Sequence, residues 1–172
     1  ISLAWNAGGQ SFCGHVGIQN TFFLAEVMRH LPNVEDVYFV YWNQNPDDMT
    51  EDVKKVLNLM GCLGYTVRHI DTCLDTMDIL IEGTLGLTPE VANAVHERGH
   101  KIVHYGMSNV FIKQQEKFCY NVGEGIYHPG KCYDGIWFLP QYYNTNHCYF
   151  ETVFGIRVQE APYIWNTFFV DN

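Results

Sequence analysis

Seven short apolar runs punctuate the chain, at residues 1–5 (ISLAW), 36–42 (DVYFVYW), 65–70 (YTVRHI), 78–82 (DILIE), 101–105 (KIVHY), 134–140 (DGIWFLP) and 156–162 (IRVQEAP). Most are continuous rather than alternating. Strands buried on both faces have this pattern, and such strands belong to parallel sheets covered by helices. The stretches between them carry helical spacing. From about Ile18 to His30, Phe22, Phe23, Ala25, Val27 and Leu31 supply apolar positions, and Pro32 stops the helix by disfavouring it at the preceding residue. Val53, Val56, Leu57 and Met60 mark a second helix that ends at Gly61 or Gly64. Thr88-Pro89-Glu90 predicts a helix start, with threonine at the N-cap and proline in the first helical position; that helix runs to about Arg98 and closes at Gly99. Ser108 or Asn109 caps a further helix through about Phe118, a loop rich in Gly, His and Pro follows at 121–133, and a last helix covers about 142–154 before Gly155. The expected fold class is therefore α/β, a doubly wound and mostly parallel sheet of about seven strands with helices on both faces, Rossmann-like. Strand order stays open at this point.

Sheets of this kind collect their chemistry at the carboxyl ends of the strands. Those ends read Asn6-Ala7-Gly8-Gly9, Asn43-Gln44-Asn45, Glu82-Gly83-Thr84, Gly106-Met107-Ser108-Asn109 and Gln141-Tyr142-Tyr143. The first loop also carries Gln10, Ser11 and His15, and its glycines (8, 9, 14 and 17) invite a dinucleotide reading. That reading fails on spacing, since the fingerprint needs G-x-G-x-x-G in a tight turn joining strand directly to helix. The second strand also ends in Trp42-Asn43-Gln44 instead of an acidic residue for a ribose. Neither the P-loop pattern nor the G-x-S-x-G elbow of serine hydrolases occurs.

Other positions keep two readings each. Glu82 closes an otherwise apolar strand, as a base, a holder of sugar hydroxyls, or a helix-capping or edge carboxylate. Asn109 with Ser108 sits at an expected helix N-terminus, where backbone N–H groups favour a phosphate or the asparagine simply caps. Gln141, Tyr142 and Tyr143 offer amide and phenol groups suited to sugars, although tyrosines also pack well. Glu151, mid-helix, faces solvent or caps a neighbouring element. Histidines 30, 69, 96, 100, 104, 128 and 147 are dispersed, and Gly99 separates His96 from His100, so no zinc site is expected. Asp47-Asp48 reads as a helix N-terminus and not as a metal-holding acidic pair.

Composition narrows the classes. A length of 172 residues suits one domain, with 1–160 as its body and 161–172 as an exit segment. A net charge of −9 with ten scattered basic residues argues against a nucleic-acid or anionic-membrane surface. Aromatic residues at 15% are high, which fits a thick core, a stacking surface or a face covered by another domain. No run approaches the ~18 apolar residues of a membrane helix, and no signal peptide opens the chain. Six cysteines (13, 62, 73, 119, 132, 148) without a C-x-x-C predict reduced, mostly buried thiols in a cytoplasmic protein. The chain opens inside a strand without an initiator methionine and stops soon after another, so an excerpt with sequence to follow is expected.

Residues 136–169, IWFLPQYYNTNHCYFETVFGIRVQEAPYIWNTFF, resemble a bacterial glycosyltransferase-like family in their W-x-L-P-Q strand end, their tyrosine-bearing helix with Glu151-Thr152, and their proline-aromatic-tryptophan exit. Residues 101–112, KIVHYGMSNVFI, are similar to the same family's strand, glycine and asparagine pattern. More broadly, the glycine-bearing first loop and the alternation after it look like the N-terminal half of a GT-B glycosyltransferase. The resemblance covers most of the chain. It implies transfer of a sugar from a nucleotide-sugar donor to an unidentified acceptor. The donor is gripped mainly by a C-terminal domain of the same protein, and the acceptor is received by this half. It implies no cofactor beyond the donor substrate, and no metal. His15 falls in the loop where some inverting members place a general base, or is an exposed loop histidine. The candidate catalytic residues are thus His15 and Glu82, with Asn6, Gly8, Gly9, Gln10, Ser108, Asn109, Gln141 and Tyr142 as substrate-binding candidates. The alternative is a non-catalytic Rossmann-like domain that holds a glycan or a partner protein on its aromatic surface.

Overall fold

The computed structural model describes residues 1–4, 16–42, 45, 47, 49–83, 87–106 and 132–164. Seven strands fall on the seven apolar runs: β1 (Ser2–Ala4), β2 (Tyr38–Tyr41), β3 (Val67–His69), β4 (Ile79–Glu82), β5 (Lys101–Gly106), β6 (Gly135–Phe138) and β7 (Arg157–Glu160). They form one all-parallel sheet in the order β3-β2-β1-β4-β5-β6-β7. The chain winds from β1 to one edge at β3, and from β4 to the other edge at β7, which is the doubly wound, Rossmann-like topology. The interior strands β1 and β2 are buried at every position, which is why their sequences do not alternate. At the edge, β7 buries only Val158 and exposes Arg157, Gln159 and Glu160. Charged and polar side chains there blunt the exposed edge.

The helices are α1 (Val16–Arg29), α2 (Glu51–Cys62), α3 (Pro89–His96) and α4 (Pro140–Phe154). Thr88 caps α3 by accepting from the Val91 amide at 3.4 Å, with Pro89 in the first turn as expected. α4 ends on Gly155, whose φ of 64° is the left-handed geometry that closes helices. Several expectations are corrected. Thr50 caps α2 by accepting from Val53, so Asp47 lies ahead of the helix start, its amide donating to Asn45 Oδ1 at 3.1 Å. The helix α2 runs through Gly61 to Cys62, and Gly64, in left-handed geometry at φ 79°, closes it, which is one of the two ends expected. Val27 in α1 and Leu31, two residues past its end, are exposed, and within the helix Leu24 and Met28 are buried. Among the described cysteines, Cys73 and Cys132 are buried and Cys62 and Cys148 are exposed; Cys13 and Cys119 lie outside the described residues. No described helix is long and apolar enough to cross a membrane.

Contacts group the chain into two units, Ile1–Leu80 with Ile164–Asn172, and Ile81–Tyr163. In the first, Phe22 stacks on Phe39 with ring centroids 4.9 Å apart, and Tyr65 meets both rings edge-on. In the second, Ile136, Phe138, Phe150, Ile156 and Val158 make a core to which β6, α4 and β7 contribute. Two features set the β5–β6 pairing. Gly106 lies opposite Phe138 in register, and a Cβ at 106 would come within 2.4 Å of the Phe138 ring. Phe138 is wholly buried and has nowhere to retreat. At the other end of the pair, the Asp134 carboxylate accepts from the Ile102 amide at 2.9 Å, from Lys101 Nζ at 2.8 Å and from His96 Nε2 at 3.1 Å. Its own amide donates to the Ile102 carbonyl at 2.8 Å, so one residue ties α3, β5 and the start of β6.

Two outcomes follow from these features. Gly106→Ala is expected to destabilise by about 1–3 kcal/mol through overpacking, with a Phe138→Leu second substitution recovering part of the loss. Urea unfolding of the single and double variants measures this, and simple additivity would contradict it. For Asp134, partial burial alone would raise the carboxyl pKa, but the hydrogen bonds from Lys101, the Ile102 amide and His96, with the Lys101 charge, outweigh it and hold it below its ordinary value. A depressed folded pKa gives stability that is complete above the unfolded value and is lost as pH falls through the folded one. The wild-type urea midpoint should therefore drop more steeply than that of Asp134→Asn as pH falls below about 4. Parallel curves would count against it.

Candidate functional site

β4 runs Ile79-Leu80-Ile81 and then turns polar at Glu82, the last residue of the strand at which the winding changes direction. β4 lies inside the sheet between β1 and β5, so Glu82 is not the edge carboxylate that one reading allowed. It is 1% exposed. An ionised carboxylate so deep costs several kcal/mol unless hydrogen bonds replace its water. Its Oε2 accepts from the Tyr133 hydroxyl at 2.8 Å and lies 2.9 Å from His104 Nδ1. His104 and Tyr133 are buried as well, with ring centroids 5.1 Å apart and tilted by 47°.

Local structure brings the three together. His104 sits two residues before the end of β5, and Tyr133 stands two residues ahead of β6, next to the Asp134 tie. All three belong to the Ile81–Tyr163 unit. With Glu82 ionised, its carboxylate only accepts, and Nδ1 of His104 then carries hydrogen toward it. In a neutral imidazole this leaves Nε2 as a bare acceptor. Nε2 of His104 is buried and finds no hydrogen-bond partner among the described residues. A histidine oriented by a carboxylate, with its second nitrogen free to take a proton, is the arrangement of a general base. Among the described residues no group of three or more His, Cys, Asp or Glu is placed to hold a metal ion.

The other expected residues fare differently. Gln141 is exposed and Tyr142 half-buried in the first turn of α4, which begins two residues earlier than expected because Pro140 suits the first helical position. Tyr142 and Tyr143 pack against the Phe138–Phe150 core, and Tyr143 also stacks on His147 at 4.6 Å, so packing accounts for both tyrosines. Glu151 is exposed and its Oε1 accepts from the Val158 amide at 3.4 Å, capping the start of β7 as one reading expected. Asn6, Gly8, Gly9, Gln10, His15, Ser108 and Asn109 lie outside the described residues. His104 and Tyr133 were not singled out from the sequence. The signal for His104 was a lone histidine inside the apolar run KIVHY, where a buried polar group demands a partner. Tyr133, in a stretch that reads as loop, carried no such signal.

Fold and site together define a Rossmann-like α/β protein with a carboxylate-backed histidine buried in its parallel sheet. The chain belongs to the family described as Protein of unknown function (DUF2827), whose model matches residues 1–172. No curated protein matches the chain, and no solved structure does.

The hydrogen bonds to Glu82 set an expectation for stability. Glu82→Leu strands two buried donors and should cost about 2–5 kcal/mol, whereas Glu82→Gln keeps an acceptor oxygen and should cost about half as much. Removing the Nδ1 donor as well, in Glu82→Leu with His104→Leu, should recover part of the loss. Urea unfolding ranks the three variants, and equal stability of the Leu and Gln variants would contradict the account.

Proposed function

We propose that this chain is the acceptor-side half of a GT-B-type glycosyltransferase, transferring a sugar from a nucleotide-sugar donor to an acceptor hydroxyl. The observation that carries the reading is the Glu82–His104 pair, a proton-handling group inside a Rossmann-like sheet, which a passive binding face does not need. In sugar transfer the acceptor oxygen bonds to the anomeric carbon, the bond from that carbon to the diphosphate oxygen breaks, and the hydroxyl proton passes to a base. The resemblance of residues 101–112 and 136–169 to glycosyltransferase-like sequences supports the same reaction class.

In this reading the C-terminal domain of the same protein grips most of the donor, and no cofactor takes part. Gln141, exposed in the first turn of α4, offers an amide to a sugar hydroxyl. Asn6, Gly8, Gly9, Gln10, Ser108 and Asn109, which follow β1 and β5 in the sequence, and Tyr142, whose ring also packs on the core, are the further substrate-binding candidates. His15 is the second candidate base. The absence of a disulfide among the described cysteines suits a reducing cytoplasm.

The test is a screen of the full-length protein against a panel of nucleotide sugars, following release of nucleoside diphosphate. Release from at least one donor is expected, and Glu82→Gln should lower it by about 100-fold or more. No release from any donor would overturn the reading in favour of a glycan- or protein-binding domain.

A further inference from the structure

We infer that Nε2 of His104 is the atom that receives the acceptor hydroxyl and takes its proton, and that Glu82 and Tyr133 act through His104 as positioning residues. The inference rests on the transferase reading above and assigns the roles within it. Glu82 alone is a poor proton acceptor here, because Oε2 already takes hydrogen bonds from both Tyr133 and His104 and the side chain is almost wholly buried. His104 is the opposite case. Its Nδ1 is committed, and its Nε2 is buried with no partner among the described residues. A buried acceptor left unmade costs about 1–3 kcal/mol, and native structures rarely keep one without a use.

The other described histidines with bonded ring nitrogens are placed differently. Nδ1 of His69 accepts from the Asp71 amide at 3.4 Å, Nδ1 of His147 donates to the Tyr143 carbonyl with its Nε2 3.1 Å from Cys148 Sγ, and His96 Nε2 pairs with Asp134. All three are partly exposed. Among the described residues, only at His104 does a ring oriented by a buried carboxylate leave its second nitrogen buried without a partner, and a hydroxyl is the simplest donor to satisfy it.

The proton count closes. The acceptor O–H gives its proton to Nε2, and the imidazolium so formed keeps its Nδ1–H on the Glu82 carboxylate, so the pair carries no net charge while the alkoxide-like oxygen attacks. Tyr133 holds the same carboxylate oxygen from the other side and packs its ring on the imidazole, which fixes the direction of the Nδ1 bond. Removing the Tyr133 hydroxyl should therefore slow the chemical step without loosening the acceptor, and removing the imidazole should abolish most of it.

The experiment combines turnover and spectroscopy on the full-length protein, using the donor found in the nucleotide-sugar screen. His104→Gln is expected to lower kcat by about 10²–10⁴-fold, and Tyr133→Phe by roughly 10-fold, each with KM little changed. His104→Ala should regain part of its rate when imidazole is added, a rescue that a merely structural histidine would not show. Independently of activity, ¹⁵N NMR of the wild-type imidazole should show Nδ1 protonated and Nε2 bare at neutral pH, with that tautomer lost in Glu82→Gln. If the wild type releases nucleoside diphosphate while a folded His104→Gln keeps more than about a tenth of the rate, the assignment falls and the transferase reading stands. If no donor is turned over, both fall. Should the His104 variants fail to fold, a wild-type tautomer with Nε2 protonated overturns the assignment by itself.

Discussion

A carboxylate at the end of an interior strand must find its hydrogen bonds inside the protein, and that requirement organises the Ile81–Tyr163 unit. Glu82 finds one on β5 and another just ahead of β6, so three successive stretches of the sheet converge on a single oxygen. Desolvation makes such a group expensive, and the bonds that offset the cost also orient the imidazole beside it. Stability and chemistry here rest on the same contacts.

The neighbouring structure keeps those contacts in register. At one end of the β5–β6 pair, Asp134 links Ile102, Lys101 and His96, which holds the residue next to Tyr133 against β5. At the other end, Gly106 leaves room for the Phe138 ring, so the two strands pair through to their carboxyl ends. Without the first, Tyr133 would lose its anchor; without the second, the strand that carries His104 would be pushed from its partner. The ring packing of Phe138, Phe150 and their neighbours then fills the space behind.

A buried histidine held by a carboxylate is more than a passive binding surface requires, and this is what favours sugar transfer over passive recognition as the proposed reading. The fold itself does not, because Rossmann-like sheets host many unrelated activities. Membership of a family whose description names no reaction leaves the chemistry of the site as the argument. That chemistry, a carboxylate, an oriented imidazole and a bare nitrogen, suits removal of a proton from a hydroxyl.

Much of this protein is legible in its residues, and the boundary falls along sequence distance. The seven apolar runs, Thr88 with Pro89, the stop at Pro32 and the close at Gly155 are local signals, read within a few residues by backbone sterics and capping. Glu82 was visible too, as a charge ending an apolar strand. What Glu82 touches was not, because His104 lies 22 residues away and Tyr133 lies 51 away. The residues themselves determined a parallel α/β sheet and a suspicious carboxylate. Only the tertiary structure, by setting β4 beside β5 and tying the start of β6 to β5, decided that the carboxylate points a histidine, since pairing between distant strands depends on packing that no local pattern encodes.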